Sequence, residues 1–202
     1  MTRRWLALLL PLALIGCGYN KIQTLDEQAH SAQGQIEVQL QRRADLIPTL
    51  VETVKGLAKQ ELAVFGEVAR ARGGLLGAVQ SKDPEQMAAA NATMTGALGR
   101  LLAVSEAYPQ LKSDQGFLKL QDELAGTENR VAVSRTDYNG AVQQYNTLIK
   151  TFPTVLTAKV TGAKEKKYYQ VANAANREAP SVNFGDPATP STPPASTAPA
   201  KP

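Results

Sequence analysis

The chain has 202 residues, 43% hydrophobic, 20% charged and 5% aromatic, with a formal net charge of +4, which admits one folded domain plus accessory segments. One cysteine, Cys17, rules out an intrachain disulfide or a cysteine-based zinc cage, and one histidine, His30, leaves no partner for Ser-His, Cys-His or multi-histidine metal chemistry. No cofactor and no metal are expected, and most enzyme classes lose their usual parts.

The first 17 residues have the pattern of a targeting segment: Arg3 and Arg4 form a positive n-region, and Trp5 to Ile15 form an apolar stretch interrupted by Pro11. A membrane helix needs about 20 apolar residues, so this stretch is too short to span. It ends in Leu14-Ile15-Gly16-Cys17, similar to a bacterial lipobox, although Ile15 stands where a small residue is usual. Cys17 is therefore expected to carry the lipid, palmitate included, and to become the first residue after cleavage. Gly18 follows it rather than the aspartate of an inner-membrane retention signal, so the expected location is the periplasmic side of the envelope, at the outer membrane in a cell with two. Without Arg3 and Arg4 the formal charge falls from +4 to +2. A nucleic-acid module would show clustered Lys/Arg with stacking aromatics or a recognisable motif, and no nucleic-acid partner is expected.

After the leader, helical periodicity runs through the sequence and no alternating strand or Asn-Gly hairpin signal interrupts it. A first helix is predicted from Thr24, where Thr24 to Glu27 has capping-box spacing, with Leu25, Ala29, Ala32, Ile36 and Leu40 on one face. Pro48 deletes a helical hydrogen bond, so Asp45 reads as a new N-cap after a turn near Ala44; the alternative is a kinked continuous helix. The second helix then runs to about Gln80, with Gly73-Gly74 its weak point. Asp83-Pro84-Glu85-Gln86 starts a third helix carrying Met87, Met94, Leu98, Leu101 and Leu102 up to Tyr108-Pro109.

The fourth helix holds the strongest periodic signal. Phe117, Leu120, Leu124, Thr127, Val131, Ser134, Tyr138, Ala141, Tyr145 and Leu148 alternate three and four apart, a coiled-coil seam. From Asp114 to Thr151 such a helix is about 57 Å long and needs long partners. The fold class is therefore all-α: an elongated up-and-down four-helix bundle. A short helical segment follows Phe152-Pro153, then the basic cluster Lys164-Glu165-Lys166-Lys167-Tyr168-Tyr169. Residues 185–202 hold six of the twelve prolines amid Ala, Ser and Thr, a disordered solvated tail.

From about Gly18 to Phe184 the sequence resembles the LemA family. The resemblance rests on Gly18-Tyr19-Asn20-Lys21 with Leu25-Asp26-Glu27; on Val38 to Pro48 with Val51 to Gly56; and on Tyr138-Asn139 through Tyr145-Asn146 to Thr151-Phe152-Pro153. Lys164 to Tyr169 and Arg177 to Phe184 are similar to the family's ending. The resemblance implies an all-helical, membrane-anchored protein with its bulk outside the cytoplasm and no agreed enzymatic activity. Thr161-Gly162-Ala163 lacks the aromatics expected there, which counts against a hydrophobic membrane or partner contact from the segment after the fourth helix.

Several residues are singled out as structural. Arg43 is expected to reach a helix end or a carboxylate and Asp45 to cap, while Tyr138 and Tyr145, with Thr127 and Ser134, place hydroxyls on the seam as a polar layer fixing register. Glu128, Arg130, Arg135 and Asp137 flank that seam. His30 is expected at the surface, and Met87 and Met94 in packing. Lys164, Lys166 and Lys167 are expected at the membrane end, because the first helix leaves the anchor and the fourth returns to it; there they can touch headgroups. The function expected is a non-catalytic envelope lipoprotein that scaffolds or binds another envelope protein. The alternatives are a protein that binds lipid or an apolar ligand, which needs a cavity between helices, and a carboxylate hydrolase using Asp45 and Glu52.

Overall fold

The structure is a computed structural model that describes residues 2–58 and 60–170, all within one compact unit, Met1–Ala172. The Cys17 side chain, the sequence ending at Phe184 and the proline-rich tail lie outside the described residues. Six helices are described: α1 Thr2–Leu57, α2 Leu62–Ser81, α3 Pro84–Glu106, α4 Pro109–Lys112, α5 Gln115–Lys150 and α6 Thr154–Thr161. Among the described residues there is no strand, and the all-α expectation holds.

The turn expected near Ala44 does not exist. α1 runs through Pro48 without ending, Asp45 is an exposed mid-helix residue accepting from Gln41 Nε2 at 2.9 Å, and Thr24 lies inside the helix with its hydroxyl donating to the Asn20 carbonyl. Two interactions outweigh the proline. The missing N–H of Pro48 would have served the carbonyl of Ala44, and that carbonyl instead accepts from Arg72 Nε of α2 at 2.8 Å. The apolar stripe also continues across it, since Ile36, Leu40, Ala44, Ile47, Leu50 and Val54 are all buried. The chain turns after α1 instead, where Glu61 N–H donates to the Ala58 carbonyl at 3.2 Å. Only Gly56 hints at this in the sequence, and Glu61 gives α2 no side-chain cap.

The remaining boundaries follow their caps. Asp83 accepts from Glu85 N–H at 3.0 Å with Pro84 opening α3, and Asp114 accepts from Phe117 N–H at 2.8 Å to open α5. Between α3 and α5 the one-turn α4 is an addition to the expected elements. Phe117, Leu124, Thr127, Val131, Tyr138 and Tyr145 of the predicted seam are buried, and beyond Ala141 the buried face widens to Val142, Asn146 and Ile149 as α6 and the following segment pack there.

α1 pairs with α5, and the α2–α3 hairpin covers α1 from Gln33, whose Nε2 donates to the Lys82 carbonyl at the hairpin tip, toward its C-terminal end. α6 packs on α1 and α5 at the other end, where Ile22, Leu25, Tyr145, Ile149 and Ala158 form a second core. Close approach there requires Gly18: a methyl group on it would sit 3.1 Å from Thr157 Oγ1. No Cα of α3 comes within 8 Å of α5, so a groove floored by α1 runs between them.

Arg72→Ala should destabilise the domain by about 1–2 kcal/mol in urea unfolding, the cost of orphaning a buried carbonyl. In a Pro48→Ala background, which returns the N–H to Ala44, the same substitution should cost less than half as much. Equal costs would mean that Arg72 does not replace the proline's missing bond.

Candidate functional site

Arg43 stands on the floor of the α3–α5 groove with 3% of its surface exposed. Its Nη1 donates to Asn91 Oδ1 of α3 at 2.6 Å and to the Glu128 carboxylate of α5, and its Nη2 donates to Thr95 Oγ1 at 3.1 Å. The Thr95 hydroxyl proton goes to the Asn91 carbonyl, which leaves an oxygen lone pair for the guanidinium. One cation thus ties three helices. Burial pulls its pKa down and Glu128 holds it up, and a guanidinium keeps its proton at any physiological pH. Arg43 Nε is buried with no hydrogen-bond partner among the described residues.

The same group divides the groove. Toward residue 169 lies a cavity of about 230 Å³ lined by Asn91, Thr95, Glu128, Arg135 and Tyr169 among others. On the far side lies one of about 250 Å³ lined by Leu50, Leu98, Leu102 and Leu124, with Arg43, Thr95 and Glu128 as its wall. Each is smaller than the roughly 300–1,000 Å³ of ordinary ligand pockets.

The basic cluster forms an extended strap along α5. Asn146 Nδ2 donates to the Lys166 carbonyl and Lys166 N–H donates back to Asn146 Oδ1, both at 2.9 Å. Asn139 does the same to Tyr169, at 3.1 and 2.9 Å. Each amide offers the donor–acceptor pair that a neighbouring β-strand would offer. The spacing fits: seven helical residues rise about 10.5 Å, and three extended residues cover about 10 Å. Tyr138 donates to the Lys167 carbonyl at 2.8 Å, and Tyr169 OH reaches the Met87 carbonyl of α3 at 3.4 Å.

Two of the three flagged lysines are engaged inside the domain. Lys166 Nζ lies 3.0 Å from Asp26 and 5.3 Å from the Tyr145 ring centroid. Lys167 Nζ lies 3.1 Å from both Asp83 and Glu85. Those contacts hold the Asp83 carboxyl below and the Lys167 ammonium above their usual values. Lys164 is exposed, with no ion pair among the described residues. His30 is exposed, while Met87 and Met94 are fully buried. Asp45 joins none of these groups. Thr127 bonds only within α5, to the Leu124 carbonyl, so the polar layer is the Arg43 junction rather than a ring of seam hydroxyls. Asn91, Thr95, Asn139 and Asn146 are the residues that sequence reasoning passed over. For the last two a signal exists, since Tyr-Asn recurs at a seven-residue interval.

Burial is the first cause that raises Tyr138 and Tyr169 to about 12, aided by Asp83 and by Glu128 respectively. A phenol whose folded pKa is raised contributes stability that is complete below its unfolded value near 10 and is lost as pH climbs to the folded one. Lys167 has the same sign, so the strap should fail on the alkaline side. An absorbance titration of the six tyrosines should show two ionising near pH 12, and Asn139→Ala with Asn146→Ala should bring both back toward 10. Late titration surviving in that variant would show that the amides do not hold the strap. Glu128→Ala should cost about 2–3 kcal/mol in unfolding free energy, because it strips a buried cation of its counter-charge; a cost below about 0.5 kcal/mol would show the pair to be incidental.

Comparison with known proteins places this arrangement. The chain is 29% identical over 175 residues to magnetosome proteins MamQ 1 and MamQ 2 of Paramagnetospirillum magneticum, covering 75% of this chain and 64% of each relative. It is 27% identical over 174 residues to magnetosome protein MamQ of Magnetospirillum gryphiswaldense, with the same coverage. It thus spans 64% of the length of these curated relatives. The model of the LemA family matches residues 32–184, a span that holds the Arg43 junction, both asparagine clamps and the whole strap, and the chain belongs to the LemA family.

Proposed function

We propose that this chain is a non-catalytic lipoprotein of the cell envelope, tethered through Cys17, whose helical domain serves as an interaction or scaffolding module for another envelope protein at the membrane surface. The observation that carries the reading is the close packing of Gly18 against Thr157. The residue after the lipid-bearing cysteine is already part of the domain wall, so a lipid on Cys17 holds the bundle against the bilayer rather than at the end of a loose linker. No helix among the described residues is long and apolar enough to cross a membrane. In this reading attachment falls to the acyl chains, and the bundle faces the periplasm from the outer membrane where there are two.

The disposition of polar groups supports a role without chemistry. Asp45 is bonded to Gln41, and Glu52 is bonded to Lys55 on the open surface of the same helix, so the two carboxylates share no cleft. The most buried charges hold helices together. An apolar-ligand carrier finds less support, because Arg43 and Glu128 partition the groove between α3 and α5 into two small cavities. Of the three lysines near the anchor, Lys164 is the one left for headgroups.

In the native host, metabolic labelling with an alkyne analogue of palmitate should tag the wild-type chain, which should sediment with membranes and need detergent for release. Cys17→Ser should lose the label entirely. An unmodified Cys17 in the mass spectrum of the mature wild-type N-terminus would end the tether reading.

A further inference from the structure

Helix α6 is inside out. The residues it turns to the domain are small or hydroxylated, with Thr154, Thr157 and Ala158 at 9%, 5% and 4% exposure. Its large apolar residues point to solvent: Leu156 is 56% and Val160 85% exposed, and Phe152 just before the helix is 77% exposed. Leu156 and Val160 are one turn apart on one face. A helix packed for water alone would place these residues the other way round.

The cations of the segment reinforce this. Lys159 and Lys164 are exposed and have no ion pair among the described residues, and the one carboxylate between residues 150 and 165, Glu165, is already bonded to Lys150 Nζ at 2.8 Å. Apolar side chains and unpaired lysines therefore share one short stretch, residues 152–164, built around α6. α6 itself packs against Gly18, next to the expected site of lipidation.

We infer that the outer face of α6, formed by Leu156 and Val160, together with Phe152 just before it and with Lys159 and Lys164 beside them, lies in an anionic lipid surface and gives the domain a second point of contact with the membrane. The occupant follows from position and charge: the helix that bears this face packs through its inner side against Gly18, beside the anchor, and unpaired cations beside apolar groups match phospholipid headgroups above acyl chains. This departs from the expectation that the segment after α5 makes no such contact, because Phe152, Leu156 and Val160 offer the apolar groups that Thr161-Gly162-Ala163 lacks. The inference rests on the tether reading for its location, and the experiment separates the two.

Acylated chains carrying Leu156→Cys, Val160→Cys or, as a control, Val133→Cys are labelled with an environment-sensitive fluorophore. Val133 is 62% exposed on α5, remote from α6. Each is mixed at high lipid with vesicles of phosphatidylethanolamine and phosphatidylglycerol, and both flotation and quenching by iodide are measured. The expected result is flotation of all three, with quenching several-fold weaker at 156 and 160 than in buffer and unchanged at 133. Flotation with all three labels equally quenched overturns the inference and leaves the tether standing. Absence of flotation overturns both readings whatever the quenching, because labels on a chain that stays off the vesicles have no lipid to shield them. Protection that rises with protein concentration in the absence of lipid assigns the face to a second copy of the chain, and that too overturns the inference.

Discussion

A single guanidinium spans the gap that the backbone leaves open. α3 and α5 do not approach each other, and the polar bonds that cross the space between them near its middle converge on Arg43. Removing this cation from water is costly, and its bonds to Glu128, Asn91 and Thr95 recover that cost only in one relative placement of the three helices. A hydrophobic seam tolerates sliding by a turn far better than such a junction does. The groove is thus fixed in width and interrupted at its centre by the same group, which is why it reads as architecture and not as a binding tunnel.

The two ends of the domain solve different problems. Where the α2–α3 hairpin lies on α1, burial is continuous and apolar, with Leu40, Leu50, Met94 and Leu101 fully enclosed. Toward Gly18 the hairpin is absent, and α6 and the strap cover α1 and α5 in its place. Cover of that kind is thin, and it is held by directional bonds from Asn139, Asn146 and Tyr138 more than by buried area. The charge pairs of Lys166 and Lys167 add orientation. At their partly exposed sites each contributes little by itself.

Much of this was legible in the sequence, and the failures have identifiable causes. Asp83-Pro84 and Asp114 announced their helices because an N-cap acts locally, within three residues. The heptad spacing of Phe117, Leu124, Val131, Tyr138 and Tyr145 predicted a buried face because periodicity reports burial directly. Pro48 misled because its local cost was offset by Arg72, 24 residues away, through a bond that no spacing rule reveals. The Arg43 junction was half visible: its structural role was expected, but partners drawn from three helices depend on packing. Asn139 and Asn146 were overlooked since asparagine in a helix ordinarily signals nothing, and its use here depends on a segment that arrives 20 and 30 residues later.

The paired amides on α5 also set what kind of sequence change the strap can absorb. They grip main chain, so their own demand between Lys166 and Tyr169 is on residue number, while the side chains of Lys166, Lys167 and Tyr169 answer separately to Asp26, to Asp83 with Glu85, and to the core. One added or deleted position would put the second tooth out of phase by a full extended residue, about 3.3 Å, with no helical step to compensate. Insertion or deletion is accordingly the change that this stretch absorbs least.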